Sequence, residues 1–411
     1  MTAARCDQLG LYLSIPFCRS KCTYCNFASG VYPASEHAHY TERLIEDLQN
    51  AGPWARQMRV ELPHAVDSIY LGGGTPSLLE PELIARLFAA MREQFAVEPD
   101  AEITVECAPA QIGDATLEAL ARAGVTRVSL GVQSFIDREA QVSGRLHTRA
   151  KVLDDLGRLR AAGIRNLNVD LIAGLAGQTF ASWDESLSVL IETGVSHASV
   201  YMLEVDEDSR LGREMLGGGA RYHAELVPSD EAIAQMYETA IDRLDKAGLK
   251  QYEISNFARR GHRSLHNMRY WKQRPYLGIG LDASSALYAE DDGARLLLRS
   301  KTTDDLKEYL AGTGSIETGW LSPEQQHEEA WFLGLRLNQG VRLSDLRRTF
   351  GKSAVARALP VVERLVESGL VQSDGRTVRL TARGRLLSNE AFQEFLAGSG
   401  EDEHAQREIA S

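Results

Sequence analysis

The sequence predicts an α/β fold, an incomplete (β/α)6 barrel followed by a small C-terminal winged-helix-like α+β module. Three observations predict it. From Leu11 to about Phe257, short apolar or β-branched runs alternate with segments of helical apolar spacing. Gly124, Gly163, Gly194 and Gly248 stand just past the helical segments, where helices are capped. Polar and reactive residues follow directly after the strand segments, on the rim where barrel enzymes build their sites.

Taken in order, the first strand covers Leu11–Phe17 and runs straight into a cluster of cysteines. Ser68–Gly72, Glu102–Cys107, Arg127–Gly131, Asn168–Ile172 and Ala198–Leu203 are the next five strands, and a short seventh is expected over Tyr252–Ser255. Helices are expected over Pro81–Glu93, Ala115–Ala123, Ala150–Ala162, Thr179–Glu192 and Asp230–Lys246. Such alternation implies a parallel sheet, and six β/α units over about 240 residues fit a barrel better than an open sheet. After Thr302 the pattern changes. Pro323–Leu337, Leu343–Phe350 and Ala354–Ser368 read as three helices, then Leu370–Gln372 and Thr377–Leu380 as a two-stranded ribbon around Asp374 and Gly375. The expected division is a barrel core over 1–220, a barrel extension over 221–300, the winged-helix-like module over 301–397 and a flexible polar tail over 398–411.

Composition limits the function. The 411 residues are 44% hydrophobic and 25% charged, which excludes disorder over most of the chain. A net charge of −12 opposes non-specific binding to nucleic acid or to an anionic membrane surface. No run approaches the ~18 apolar residues of a membrane helix, and Leu9–Phe17 leads into charged and cysteine residues rather than a cleavage site. A cytoplasmic protein without stable membrane insertion is expected. Its five cysteines are too few and too clustered for a disulfide framework.

Cys18, Cys22 and Cys25 lie within eight residues, directly after a strand. A structural zinc site is closed by four protein ligands, and the nearest histidines, His37 and His39, fall at the start of the next helix. A 4Fe-4S cluster takes four thiolates when closed, so three leave one iron open to a small molecule. Cys6 and Cys107 lack this loop context. Gly72-Gly73-Gly74-Thr75-Pro76 ends the second strand, where glycines let backbone amides approach a ligand.

The cysteine spacing, with Tyr24 before the last cysteine, resembles the signature of the radical SAM family. That resemblance implies a 4Fe-4S cluster on Cys18, Cys22 and Cys25, with S-adenosylmethionine on the open iron, and makes the expected barrel a radical SAM barrel. It also implies cofactor contacts from Tyr12, Gly73, Gly74, Thr75, Glu106, Gln133, Arg145 and Asp170, which follow in matching local sequences. Acidic groups suit ribose hydroxyls and a guanidinium suits a carboxylate. Ala108 departs from the pattern, which usually has Asn there.

Over about residues 8–390 the chain most resembles the coproporphyrinogen III dehydrogenase-like branch, and within it the heme chaperone members of HemW type. The dehydrogenases carry a fourth cysteine where this chain has Phe27, and an N-terminal arm where about ten residues precede Leu11 here. Dehydrogenase activity is therefore the alternative reading. The segment His266-Asn267-Met268-Arg269-Tyr270-Trp271 has the His-Asn-x-x-Tyr-Trp form linked in that branch to heme. The resemblance implies heme contact by His266, Asn267, Tyr270 and Trp271, transfer of heme to an acceptor protein, and an electron donor for the cluster. Arg259, Arg260, His262, Arg263 and Arg269 would supply cations for propionates. His147 and His262 compete with His266 as axial ligands, and an aromatic pair beside a histidine also fits plain core packing. Ser284 stands where the family commonly has His. Glu204 and Leu380-Thr381-Ala382-Arg383-Gly384 match the branch as well.

Overall fold

The computed structural model describes residues 7–219, 221–291 and 294–396. Cys6 and the tail over 398–411 lie outside the described residues. The six expected β/α units are present as β1 (Gln8–Ile15), α1 (Ser35–Met58), β2 (Ala65–Gly73), α2 (Pro81–Gln94), β3 (Ala96–Cys107), α3 (Asp114–Arg122), β4 (Arg127–Gln133), α4 (Asp137–Val142), α5 (Arg149–Ala161), β5 (Asn166–Ala173), α6 (Phe180–Glu192) and β6 (His197–Met202). Strands β1 to β6 lie parallel in sequence order. Crossover helices cover one face of this sheet, so that face is apolar: Leu11, Leu13, Leu71, Val105, Leu130 and Leu171 pack with Leu44, Leu87, Phe88, Leu120, Leu156 and Leu187 in one core. Each such side chain contributes about 1.5–3 kcal/mol by leaving water.

The barrel stays open. Past β6 come α7 (Arg210–Gly217), α8 (Asp230–Lys246), β7 (Lys250–Gln251) and β8 (Asn256–Ala258), and β8 pairs antiparallel with β6. Next come α9 (Leu265–Trp271) and β9 (Tyr276–Ile279), the latter parallel to β1 on its other side. β10 (Ser284–Asp291), β11 (Ala294–Thr302), α10 (Leu306–Ala311) and β12 (Ile316–Leu321) follow, and their three strands extend the sheet antiparallel. Among the described residues the sheet has twelve strands, and β1 and β6 are not neighbours. The strand expected over Tyr252–Ser255 is instead the turn between β7 and β8. There the Glu253 carboxylate accepts from the Ser255 amide at 3.0 Å and from Asn256 Nδ2 at 2.5 Å, folding the chain back.

The C-terminal module holds α11 (Pro323–Arg336), β13 (Val341–Arg342), α12 (Leu343–Glu367), β14 (Val371–Ser373), β15 (Thr377–Leu380), α13 (Ala382–Leu386) and α14 (Ser388–Leu396). Its separate core gathers around Trp331, Leu335, Val355, Leu365, Val378 and Phe392. The two helices expected over 343–368 are the two parts of α12, bent where Gly351 takes φ 85°. β13 adds a third strand to the expected ribbon. The expected boundary at 300/301 falls inside β11, and β12 still hydrogen-bonds β11 along its length, while the second core is built from α11 onward together with Ile254. Among the described residues, no helix is long and apolar enough to cross a membrane.

Candidate active site in the barrel lumen

Residues alternate across a strand, and in β1 to β6 the lumen-facing set is polar or aromatic. Register brings them together. Tyr12 is paired with Tyr70, Glu106 with Ser129, and Asp170 with Ser199. The Tyr12 and Tyr70 rings stack at 6.2 Å, and the Tyr70 hydroxyl donates to Glu106 Oε1 at 2.7 Å. Burial pushes the Glu106 carboxyl up to about 7, against the pull of the Tyr70 bond. Asp170 accepts from Ser129 Oγ at 3.0 Å and Asn168 Nδ2 at 2.6 Å, and burial raises its pKa as well. Gly72 makes room for Glu106, since a Cβ there would lie 3.1 Å from its carboxyl carbon. A Cβ on Gly131 would come within 3.0 Å of Arg145 and 3.3 Å of Gln133. Gln133 itself ends β4 at φ 68°. Its Oε1 and the Nε of Arg145 are buried without a hydrogen-bond partner. Two unsatisfied polar atoms beside two carboxyl groups are costly unless a polar ligand pairs with them.

Above this lumen, the loop after β1 carries Cys18, Cys22 and Cys25, all half-buried. The loop is tied on several sides. The Thr75 amide donates to Phe17 O at 2.7 Å, the Cys18 amide to Gly30 O at 2.8 Å and the Thr23 amide to Ser143 O at 3.1 Å. The Leu211 amide, at the start of α7, donates to Thr23 O at 2.8 Å. Gly74 fits between the strand ends, because a Cβ there would meet Ile15 O at 2.7 Å and Phe17 O at 2.8 Å. Thr75 Oγ1 lies 4.0 Å from Cys18 Sγ, and Tyr24 OH accepts from Arg145 at 3.2 Å. Burial raises the Cys18 thiol, so its thiolate needs a nearby cation. Phe27, where a fourth cysteine would stand, is 64% exposed. Cys107 is buried, with its thiol pushed up to about 12 by desolvation, as an inert core residue would be.

The opposite end of the lumen is closed by α9. The Glu102 carboxylate accepts from Ser264 Oγ at 3.2 Å and from the His266 amide at 3.0 Å, and Arg127 donates to His262 O at 3.2 Å. Arg269 runs past Gly10, pairs with Asp67 and donates to Gln8 O at 3.0 Å and Pro275 O at 2.8 Å. His266 is 1% exposed, with Nδ1 3.2 Å from Ser68 Oγ and Nε2 2.8 Å from Tyr270 OH. Both ring nitrogens of His266 are thus within hydrogen-bond distance of a partner, and Arg269 is buried in its pair with Asp67. Arg259 is likewise committed to Val195 O and Ala247 O. Asn267, Tyr270 and Trp271 are half-buried, and Arg336 of α11 covers the Trp271 ring at 4.2 Å. His147 is buried, with Nε2 3.1 Å from Val132 O. Ser284 is exposed at the start of β10.

Residues 12–190 match the Radical SAM superfamily and residues 321–387 match the HemN C-terminal domain. The heme chaperone HemW of Lactococcus lactis is 33% identical over 94% of this chain and 96% of its own. Bacillus subtilis HemW is 32% identical over 94% and 98%. The chain belongs to the HemW family of radical SAM proteins. A mitochondrial radical S-adenosyl methionine domain-containing protein 1 of Danio rerio is 31% identical over 84% of this chain and 79% of its own. Coproporphyrinogen III oxidase (HemN) of Escherichia coli superposes with a TM-score of 0.81 at 23% identity, covering 96% of this chain and 91% of that one, which is a likeness of fold.

The radical SAM fold carries a 4Fe-4S cluster and S-adenosylmethionine, and the residues of this HemW-family chain fit that pair. Three thiols share one loop beside Gly73, Gly74 and Thr75. Among the described residues no three His, Cys, Asp or Glu side chains gather tightly enough to hold one metal ion. The unpaired Gln133 and Arg145 atoms suit a zwitterionic, hydroxyl-bearing cofactor. Sequence reading missed Tyr70, Ser129, Asn168 and Ser199. The signal was available as polar residues at every second position of β2, β4, β5 and β6.

Proposed function

We propose that this protein is a heme carrier that hands heme to an acceptor protein in the cytoplasm and uses an electron donor for its cluster. Cys18, Cys22 and Cys25 hold the 4Fe-4S cluster in this reading, and Tyr12, Tyr24, Gly73, Gly74, Thr75, Glu106, Gln133, Arg145 and Asp170 surround S-adenosylmethionine on the open iron. Reduced, such a cluster supplies one electron for cleavage of the sulfonium C–S bond. The chain's own residues bind and orient: Glu106 and Asp170 accept hydrogen bonds, Arg145 and Gln133 supply polar atoms that are unsatisfied now, and Tyr70 fixes the Glu106 carboxyl.

The observation that carries the choice of carrier over dehydrogenase is Phe27, an exposed side chain without a donor atom at the fourth-cysteine position. Heme then lies on the outer side of α9, where Leu265 is 54% exposed, Asn267 and Trp271 are partly accessible, and Arg260 and Arg263 are exposed cations. His262, half-buried just before α9, becomes the axial ligand in place of His266. Anaerobically reconstituted protein incubated with hemin should retain a Soret band through a desalting column, and His262→Ala should lose most of it. Conversion of coproporphyrinogen to protoporphyrinogen in the presence of reductant would make the protein a dehydrogenase instead.

A further inference from the structure

We infer that His197 is a positioning residue for S-adenosylmethionine: through the Asn168 amide it fixes how Asp170 is presented to the cofactor. This rests on the reading above that the lumen holds S-adenosylmethionine beside Asp170. His197 opens β6 and is 1% exposed, and register pairs it with Asn168 as it pairs Ser199 with Asp170. The direction of the hydrogen bonds follows from the carboxylate, which can only accept. Ser129 Oγ donates to Asp170 Oδ2 at 3.0 Å, and Asn168 Nδ2 donates to Asp170 Oδ1 at 2.6 Å. With its proton committed to Asp170, Ser129 Oγ accepts from the same Nδ2 at 2.6 Å. The amide nitrogen of Asn168 therefore faces Asp170 and Ser129, and its Oδ1 faces His197 Nδ1 at 2.6 Å.

An amide oxygen cannot donate, so Nδ1 carries the imidazole proton and Nε2 is left to accept. A donor stands ready for it. Tyr252 OH lies 2.9 Å from Nε2, and the Tyr252 oxygen accepts in turn from the Ser264 amide at 3.3 Å, just before α9. Burial, with Arg127 nearby, holds the His197 pKa well below its ordinary value, so the ring stays neutral in this one tautomer. What His197 decides is which end of the Asn168 amide meets Asp170. Without an N–H at this place Oδ1 loses its donor, and the amide can rotate and draw Nδ2 away from the carboxylate. Ser199 does not prevent that rotation, since its Oγ lies 3.1 Å from Nδ2 and 3.3 Å from Oδ1 and can pair with either. Asp170 would then keep Ser129 and lose the second donor that orients it toward a ligand hydroxyl.

The test uses full-length protein with its cluster rebuilt anaerobically to wild-type iron and sulfide content, titrated with S-adenosylmethionine while the reduced-cluster electron paramagnetic resonance signal is recorded. His197→Leu, which removes both nitrogens, should weaken binding by about tenfold, the effect of one lost buried hydrogen bond. His197→Asn, whose side-chain N–H reaches the place of Nδ1, should bring affinity back to within about threefold of wild type. In an Asn168→Ala background His197→Leu should add little, because the two residues act in series. Unchanged affinity in His197→Leu, equal losses in His197→Leu and His197→Asn, or strictly additive losses in the double variant would overturn the inference. Should His197→Leu fail to assemble its cluster, Asn168→Asp keeps the side-chain shape and removes the N–H toward Asp170, and wild-type affinity there overturns it equally. A wild-type cluster indifferent to S-adenosylmethionine would remove the underlying reading and this inference together. A responsive wild type with unaffected variants would remove the inference alone.

Discussion

Glu106 is a carboxyl group whose charge is set by its surroundings. Burial raises it to about 7, so it is neutral in acid and becomes a full acceptor only above neutrality. A ligand that donates to it should bind more tightly as pH rises through 7. S-adenosylmethionine affinity measured at pH 6 and pH 8 should therefore increase, and Glu106→Gln should abolish the difference. Gly131 acts by absence. Gly131→Ala would push a methyl against Arg145 and Gln133, so ligand affinity should fall well before thermal stability does. Glu106, Arg145 and Asp170 were picked out through their matching local motifs, Glu106 and Asp170 lying within β3 and β5. Tyr70 was not legible, since a tyrosine within an apolar run reads as core until register places it beside Tyr12. That Ser68, 198 positions away, lies within hydrogen-bond distance of one ring nitrogen of His266 is not legible in its spacing.

At the scale of elements, the six parallel strands were readable from apolar runs bounded by capped helices. Strands β9 to β12 were not: β9, parallel to β1, is only four residues long, and β10 to β12 pair antiparallel, which leaves no β/α rhythm. α9 packs closely enough that a methyl on Gly10 would sit 2.4 Å from the Arg269 side chain. Gly10→Ala should cost about 1–3 kcal/mol by overpacking, read as a lower urea midpoint. Gly74→Val should displace the cysteine loop from Ile15 O and Phe17 O, with iron and acid-labile sulfide content falling after reconstitution.

For the molecule as a whole, the two cores meet through apolar contacts, with Ile254 in the second core and Leu337 packed with Tyr252, Ala258 and Met268, and through a few polar ones. Arg336 of the C-terminal module covers Trp271 and lies 3.8 Å from Glu253, which is 0% exposed and whose pKa burial raises. Arg336→Met strands that carboxylate without its counter-charge, at a cost of about 3–5 kcal/mol. Calorimetry should then resolve two unfolding transitions where the wild type shows one. The change of pattern after Thr302 is legible in the sequence, and the pairing of β12 with β11 is not. α9, finally, stands as a partition between the polar lumen and the outer face. Were S-adenosylmethionine to sit among the polar strands and heme on the outer wall, as proposed above, packed backbone would separate them, and cofactor and cargo would be coupled by pressure on that wall and never by collision.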